Sequence, residues 1–359
     1  MKKKIAIIFG GKSAEHEVSI NSARNICNAL DKTNFDLIYL GISKQGTWYQ
    51  FTSDAIFNTK ALNDSDLAGE DVVTLVSHQS KPVIYSFKSQ ERRSLDCAFP
   101  IIHGTMGEDG TLQGFFRMIN LPFVGCGVLS SAVGMDKEFM KRVMTDSGIQ
   151  NSKYVLLKHT ETVSYNEIVK KIGTPFFIKP ANAGSSVGVH KVKSEGDFIS
   201  QLQDSFLYDH KVIAEEFIEG REIECAVMGL NQNPKASLPG ELIVKHEFYS
   251  YEAKYVAADG AEIVIPAKLE EKQIKEIQIL AKKAFQVLGC DGLTRVDFFI
   301  KKNGQIYVNE INTLPGFTKI SMYPKMWEAS GLNYTNLITE LVHLAFQKQR
   351  LDNQIKMTF

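Results

Sequence analysis

Arg295, Asp297, Glu310 and Asn312 are the residues whose types and spacing point most directly to chemistry. They lie in two alternating apolar runs, Leu293 to Ile300 and Ile306 to Ile311, separated by Lys301-Lys302-Asn303-Gly304-Gln305. Asn-Gly between such runs is a strong hairpin signal, because a two-residue type I′ turn needs positive φ at both central positions. A turn centred on Asn303-Gly304 sets Asp297 opposite Glu310 and Arg295 opposite Asn312. Alternation then gathers these four on one face, with Phe299 paired to Val308 among them, and sends Val296, Phe298, Ile300, Tyr307 and Ile311 to the other. Two carboxylates directly opposed on a sheet repel by about 3 kcal/mol at roughly 5 Å and an effective dielectric near 20. A cation between them removes that cost. Two carboxylates and an amide carbonyl are hard oxygen ligands, so Mg²⁺, which also binds substrate phosphates, suits the set better than Zn²⁺. A solvated hairpin face carrying acids by chance is the alternative at this point.

Three other stretches could contact a ligand. Gly10-Gly11-Lys12-Ser13 follows the apolar run Ile5 to Phe9, and the pattern predicts a buried parallel strand, then a helix with Ser13 as N-cap and acids in its first turn. A Walker loop is excluded, because its first glycine falls on Ala6, and GxGxxG is absent as well. Glu15 is then either an ordinary first-turn acid or a site residue. His103-Gly104, with Gly107 and Gly110 after it, lies at a strand's carboxyl end, where open α/β sheets bind ligands. His103 itself reads equally well as a satisfied structural histidine. Lys179 ends a strand before Gly184-Ser185-Ser186-Val187-Gly188, a loop whose amides and hydroxyls can fold over phosphates or serve as a plain turn.

The elements that must position these residues read as follows. Strands are expected at 37–42, 96–102, 121–127, 175–180 and 211–216, and helices at 136–147, 270–288 and 334–347. Composition and direction change near Glu216, which marks a domain boundary there. The aromatic stretch from Lys245 to Ile265 reads as a surface excursion or a lid, and residues 51–92 suggest no function. The chain's 359 residues suffice for two or three domains. Basic and acidic residues balance at 41 each, so no basic field points to nucleic acid or an anionic membrane. No apolar run approaches the roughly 20 residues of a membrane span. Five scattered cysteines without a CxxC pattern suit reduced core thiols in the cytoplasm.

Taken in order, Gly10 to Ser19, His103-Gly104, Gly107 to Gly114, Lys179 to Gly188, Tyr251 to Tyr255, Arg295-Val296-Asp297 and Glu310 to Gly316 closely resemble the D-alanine:D-alanine ligases over nearly the whole chain. The resemblance implies an α/β, partly α+β, ATP-grasp fold: an N-terminal open parallel-sheet domain (1–128), a central domain (129–215) and a C-terminal domain with lid and metal site (216–359). It implies ATP, two Mg²⁺ ions (Mn²⁺ as an alternative), two D-alanines and a cytoplasmic homodimer. It also implies that Asp297, Glu310 and Asn312 hold the metals, and that Arg295 with the Gly316 N–H forms an oxyanion hole. Lys137, Lys179 and Lys254 would contact the nucleotide, with Ser185 and Ser186 closing over it. Glu215, Glu216, Phe217 and Ile218 would line the adenine pocket and Glu222 hold the ribose. Glu15 would bind the first D-alanine's ammonium and, through Ser185, join Tyr255, with Val18 and His103 bordering that substrate. Ser321 and Met322 would receive the second substrate's carboxylate. A tyrosine at 255 implies D-alanine as that second substrate. The competing expectations are another ATP-grasp carboxylate–amine ligase, making D-Ala-D-Ser or D-Ala-D-Lac, and a non-catalytic nucleotide-binding regulator.

Overall fold

The computed structural model describes residues 2–161, 163–244 and 261–356. Apolar runs with period two and amphipathic helical stretches assemble into three sheets with helices packed on their faces. The first sheet contains β1 (Lys3–Gly10), β2 (Phe35–Ile42), β3 (Trp48–Phe51), β4 (Asp71–His78), β5 (Lys81–Ser86), β6 (Arg92–Ser94) and β7 (Cys97–Pro100), in the order β6-β5-β4-β3-β2-β1-β7. Its parallel part is β2-β1-β7. The stretch that suggested no function extends it as an antiparallel meander. The strand expected at 121–127 is reduced to a single bridge between Phe123 and Ala98.

The second sheet, β10-β9-β11-β8, is antiparallel and comprises β8 (Tyr154–Lys158), β9 (Phe176–Pro180), β10 (His190–Val192) and β11 (Lys211–Glu216). The third runs β15-β14-β12-β16-β17, with β13 beside β12. Its strands are β12 (Arg221–Gly229), β13 (Lys235–Ala236), β14 (Gly240–Val244), β15 (Ala261–Val264), β16 (Gly292–Ile300) and β17 (Ile306–Asn312). Among the described residues the α-helices are α1 (His16–Ala29), α2 (Thr111–Met118), α3 (Val128–Met135), α4 (Lys137–Asp146), α5 (Tyr165–Ile172), α6 (Glu195–Ser205), α7 (Glu271–Val287), α8 (Met322–Ala329) and α9 (Tyr334–Asp352). Among the described residues, no helix is long and apolar enough to cross a membrane.

One hydrophobic core runs from the first sheet (Ile5, Ile7, Phe9, Phe99) through Phe317 and Tyr323 to Leu337, Ile338 and Leu341 of α9. The second sheet has a core of its own beneath α5 and α6, including Ile168, Phe176, Ile178 and Phe198. All five cysteines are buried free thiols, and burial pushes Cys27 and Cys225 up to about 12.

The turn from β1 into α1 differs from the expected cap. Helix α1 starts at His16, with Glu15 in the preceding position, whereas Ser13 Oγ donates to the His103 carbonyl (2.7 Å) and accepts from the Glu15 N–H (3.1 Å). Gly10 turns with φ 89°, and a Cβ there would lie 2.3 Å from the Ile42 carbonyl oxygen, so only glycine fits. Buried His16 locks this turn: Nδ1 donates to the Gly11 carbonyl (2.8 Å) and Nε2 accepts from the Leu62 N–H (3.0 Å). That pairing requires the neutral ring, and burial lowers its pKa below the ordinary 6.5. The stability from neutral His16 is therefore complete above 6.5 and is lost as pH falls through the lowered folded value. His16→Gln should cost about 1–3 kcal/mol near neutral pH. The gap between wild type and variant should shrink at about pH 5, as measured by urea unfolding at both pH values; a gap that stays constant would remove the proposed neutral-ring lock.

Candidate functional site

The β16–β17 hairpin brings Arg295, Asp297, Glu310 and Asn312 together by a route the sequence did not indicate. The pairs Asp297–Glu310 and Arg295–Asn312 form as expected. Closer to the turn, however, Ile300 pairs with Ile306, Phe299 with Tyr307 and Phe298 with Val308. The turn holds three residues, with Gly304 at φ 84°, instead of a two-residue type I′ turn. A β-bulge at Asn309 absorbs the odd residue and restores the register before Glu310. Val308 therefore joins the apolar face, where Tyr307 was expected, and Phe299 pairs with Tyr307.

The polar face continues onto β12, where Glu224 pairs with Asp297 and Glu222 with Phe299. Asp297 thus sits between Glu224 on one neighbouring strand and Glu310 on the other. Arg295 answers this concentration of acids. Its Nε and Nη2 each donate to Asp297 at 2.7 Å, and its Nε lies 3.0 Å from Glu224 Oε2. Burial alone would lower the guanidinium's pKa, but Asp297, then Glu224, then Glu310 hold it well above the ordinary value. The Asn312 amide also donates to Asp297 (3.0 Å). No three His, Cys, Asp or Glu side chains among the described residues converge on one ion position.

These residues line an open cavity of about 510 Å³ where the three sheets meet. From the start of α1 and the residue before it come Val18 and Glu15, and from the loop between β7 and α2 come His103 and Glu108. From the second sheet and its loops come Lys179, Ser185, Ser186, Glu215 and Glu216, followed by the hinge residues Phe217 and Ile218. Lys137, Glu222, Gly316, Ser321 and Met322 complete the expected set within the described residues; Lys254 and Tyr255 lie outside them.

Glu15 is nearly buried, and its Oε1 accepts from Ser185 Oγ at 2.6 Å. Gly104 turns beside this carboxylate with φ 78°, and a Cβ there would lie 2.9 Å from Ser13 Oγ and 3.1 Å from Glu15 Oε2. Ser185 and Ser186 hold left-handed backbone (φ 51° and 59°), a conformation that costs non-glycine residues energy and needs fixing from outside. The Glu15 contact fixes it. His103 is both structural and cavity-lining: Nδ1 pairs with Glu108 at 3.4 Å and Nε2 with Ser22 Oγ at 3.2 Å. Burial would lower its pKa, but Glu108 and then Glu15 raise it. Burial itself raises Glu108. Gly316 packs so tightly that a Cβ would lie 2.8 Å from Ser321 Oγ, which also accepts from the Thr318 N–H (2.9 Å). Lys137 Nζ donates to the Ala183 carbonyl at 2.6 Å, tying α4 to the serine loop.

The Glu215 carboxylate is committed behind the cavity wall. Oε1 meets Lys141 and Oε2 meets Lys179, both at 2.6 Å, and Ser152 Oγ donates to Oε1. Although burial would raise Glu215, the two lysines, Lys141 first, hold it far below the usual carboxylate range.

Comparison with known proteins decides the family. The description "D-ala D-ala ligase N-terminus" matches residues 4–126, and "D-ala D-ala ligase C-terminus" matches 143–343. The chain belongs to the D-alanine–D-alanine ligase family. It is 48% identical to the D-alanine–D-alanine ligase of Oceanobacillus iheyensis (99% of this chain, 98% of that protein) and 47% identical to ligase A of Escherichia coli K12 (99% of each). Among solved structures it resembles the Coxiella burnetii D-alanine–D-alanine ligase, with a TM-score of 0.87, 40% identity and coverage of 98% and 96%. The VanG D-Ala:D-Ser ligase of Enterococcus faecalis gives a TM-score of 0.87, 36% identity and coverage of 96% and 100%. The three-sheet architecture is the ATP-grasp fold expected from the resemblance. Within it, Glu224, Lys141, Glu108 and Asn309 are residues that sequence reasoning missed. Glu224 could have been found by extending the alternation of the Arg221 to Met228 strand onto its neighbour.

Ser185→Ala removes the hydrogen bond that holds the strained loop. Amide hydrogen exchange across residues 183–188 should quicken by about tenfold, equivalent to about 1.4 kcal/mol. Unchanged exchange would mean that the Glu15 contact does not hold the loop.

Proposed function

We propose that this protein joins two D-alanines into D-alanyl-D-alanine, coupled to cleavage of ATP to ADP and phosphate, for peptidoglycan precursor synthesis in the cytoplasm. The observation that carries the reading is the meeting of the Glu15–Ser185 pair, the Lys179–Glu215 pair and the Arg295–Asp297–Glu310 face around one cavity, in a chain 47–48% identical to such ligases across 99% of its length.

The residues divide the work by charge. Lys137 and Lys179 bring positive charge to the phosphates, and the Ser185–Ser186 loop covers them. Asp297, Glu310 and Asn312 would hold two Mg²⁺ ions; hard-oxygen donors brought side by side on adjacent strands fit such ions. When bound, the ions neutralise the developing phosphate charge. Glu15 receives the ammonium of the first D-alanine, whose carboxylate oxygen attacks the γ-phosphorus as ADP leaves. Ser321 and Met322 seat the carboxylate of the second, whose amine attacks the acyl carbon and expels phosphate. Arg295 and the Gly316 N–H stabilise the tetrahedral oxyanion, a role in which one donor contributes about 3–4 kcal/mol. Phe217 and Ile218 sit beside adenine and Glu222 at the ribose. By the same reading the domains are 1–128, 129–215 and 216–359, and the assembly is a homodimer, which sedimentation equilibrium should report as twice the chain mass; a monomer across micromolar concentrations would refute the assembly.

A D-Ala:D-Ser ligase of the same fold makes the second substrate the discriminating variable. In an ADP-release assay, D-alanine should support turnover at least about tenfold better than D-serine or D-lactate, a difference of about 1.4 kcal/mol; L-alanine should support none. Equal rates with D-lactate at neutral pH would overturn the proposed specificity. Asp297→Asn and Glu310→Gln should each abolish turnover while the thermal midpoint stays within a few degrees, and activity retained at ordinary Mg²⁺ would remove the metal role.

A further inference from the structure

Lys141 carries a charge that the proposed reaction leaves unused. It is 1% exposed, lies on α4 one turn beyond Lys137, and donates to Glu215 (2.6 Å) and Ser152 (2.8 Å). Burying an ammonium costs several kcal/mol unless it is paired, and a methionine in its place would fill the volume without that cost. The pairing geometry explains what the charge does. Glu215 divides its carboxylate between two ammonium groups, one buried on α4 and one on β9 at the cavity wall. Two cations and one anion leave one positive charge in excess. Without Lys141, Glu215 would balance Lys179 alone, and the positive charge that this cluster presents to an incoming anion would fall by one unit.

We propose that Lys141 is a positioning residue for nucleotide binding: by engaging one oxygen of Glu215, it adds one positive charge to the side of the cavity on which Lys179 would meet the phosphates of ATP. This rests on the reading of the cavity as an ATP site. The pKa directions agree with the arrangement: burial lowers Lys141 and Glu215 opposes the fall, while for Lys179 the attraction of Glu215, and then of Glu310 and Glu222, outweighs burial.

The test is a charge-balance series in the full-length protein: Lys141→Met, Lys141→Arg and the double variant Lys141→Met/Glu215→Gln, assayed by ADP release with ATP and D-alanine varied separately. Lys141→Met removes the surplus charge and should raise the KM for ATP at least about tenfold, with the KM for D-alanine changed less than about twofold. The double variant removes the anion together with the buried cation and should lower the KM for ATP at least about threefold from that of Lys141→Met, which a purely structural role for the pair would not do. Lys141→Arg keeps the charge and should stay within about threefold. An unchanged KM for ATP in Lys141→Met, or a loss that the double variant does not relieve, overturns the proposal. If Lys141→Met does not fold, a folded double variant that fails to regain ATP binding overturns it equally. Wild-type turnover in the same assay reports on the ATP reading separately, and a wild type that releases no ADP would remove both.

Discussion

Three carboxylates placed side by side on three adjacent strands would force those strands apart if nothing answered them. In this protein Arg295 is the answer from within the sheet. It grips Asp297 with two parallel hydrogen bonds and reaches Glu224, so the central acid is paired from within its own strand and tied to the neighbouring one. A planar guanidinium can do this because its donors match the spacing of a carboxylate's oxygens, which a lysine could not reproduce. The result is a face organised before any ligand arrives. On the opposite wall the balance is reversed, since Lys141 and Lys179 outnumber Glu215. The cavity therefore gathers acids on one side, on β12, β16 and β17, and lysines on the other, on α4 and β9.

How these walls are anchored differs. The anionic face and the first sheet belong to elements tied by a common core, in which Phe317 packs on Phe99 and Tyr323 and lies in the loop after β17. The backbone of Phe317 is further held by Asn25 of α1 and Tyr334 of α9. Of the cationic wall, Lys179 stands on a sheet with a separate core, whereas Lys141 lies on α4, whose Met140 and Met144 pack into the core of the third sheet. Across the cavity, the Ser185–Glu15 hydrogen bond joins that sheet's loop to α1. Few-atom contacts of this kind are easier to break and remake than a packed apolar interface.

Much of this was legible in the sequence because it rests on local rules. Alternation assigned the polar face of the hairpin, and strand-then-glycine patterns marked the loops at Gly10, His103 and Gly184. The register of Asp297 and Glu310 was reached through the wrong turn: a two-residue turn and a three-residue turn corrected by a bulge give the same pairing beyond Asn309. Ser13 was read as a helix cap from its neighbours alone, whereas its partner is the His103 carbonyl, ninety residues away. Glu224 and Lys141 escaped for the same reason. Their roles depend on pairing between β12 and β16 and on the packing of α4 behind β11, and no local periodicity encodes those contacts. Residues 51–92 gave no functional signal because their strands form an antiparallel extension that packs Val73, Leu75 and Ile84 into the core of the first sheet and lines no part of the cavity.

The compensated hairpin also constrains how this gene segment can vary in length. One residue gained or lost between Ile300 and Ile306 would leave the bulge uncorrected and rotate Glu310 toward the apolar layer occupied by Val308 and Ile311. One residue lost at the bulge would do the same from the other side. Insertions and deletions here are tolerable only as matched pairs, so the parity of the segment, more than its composition, is what inheritance must preserve.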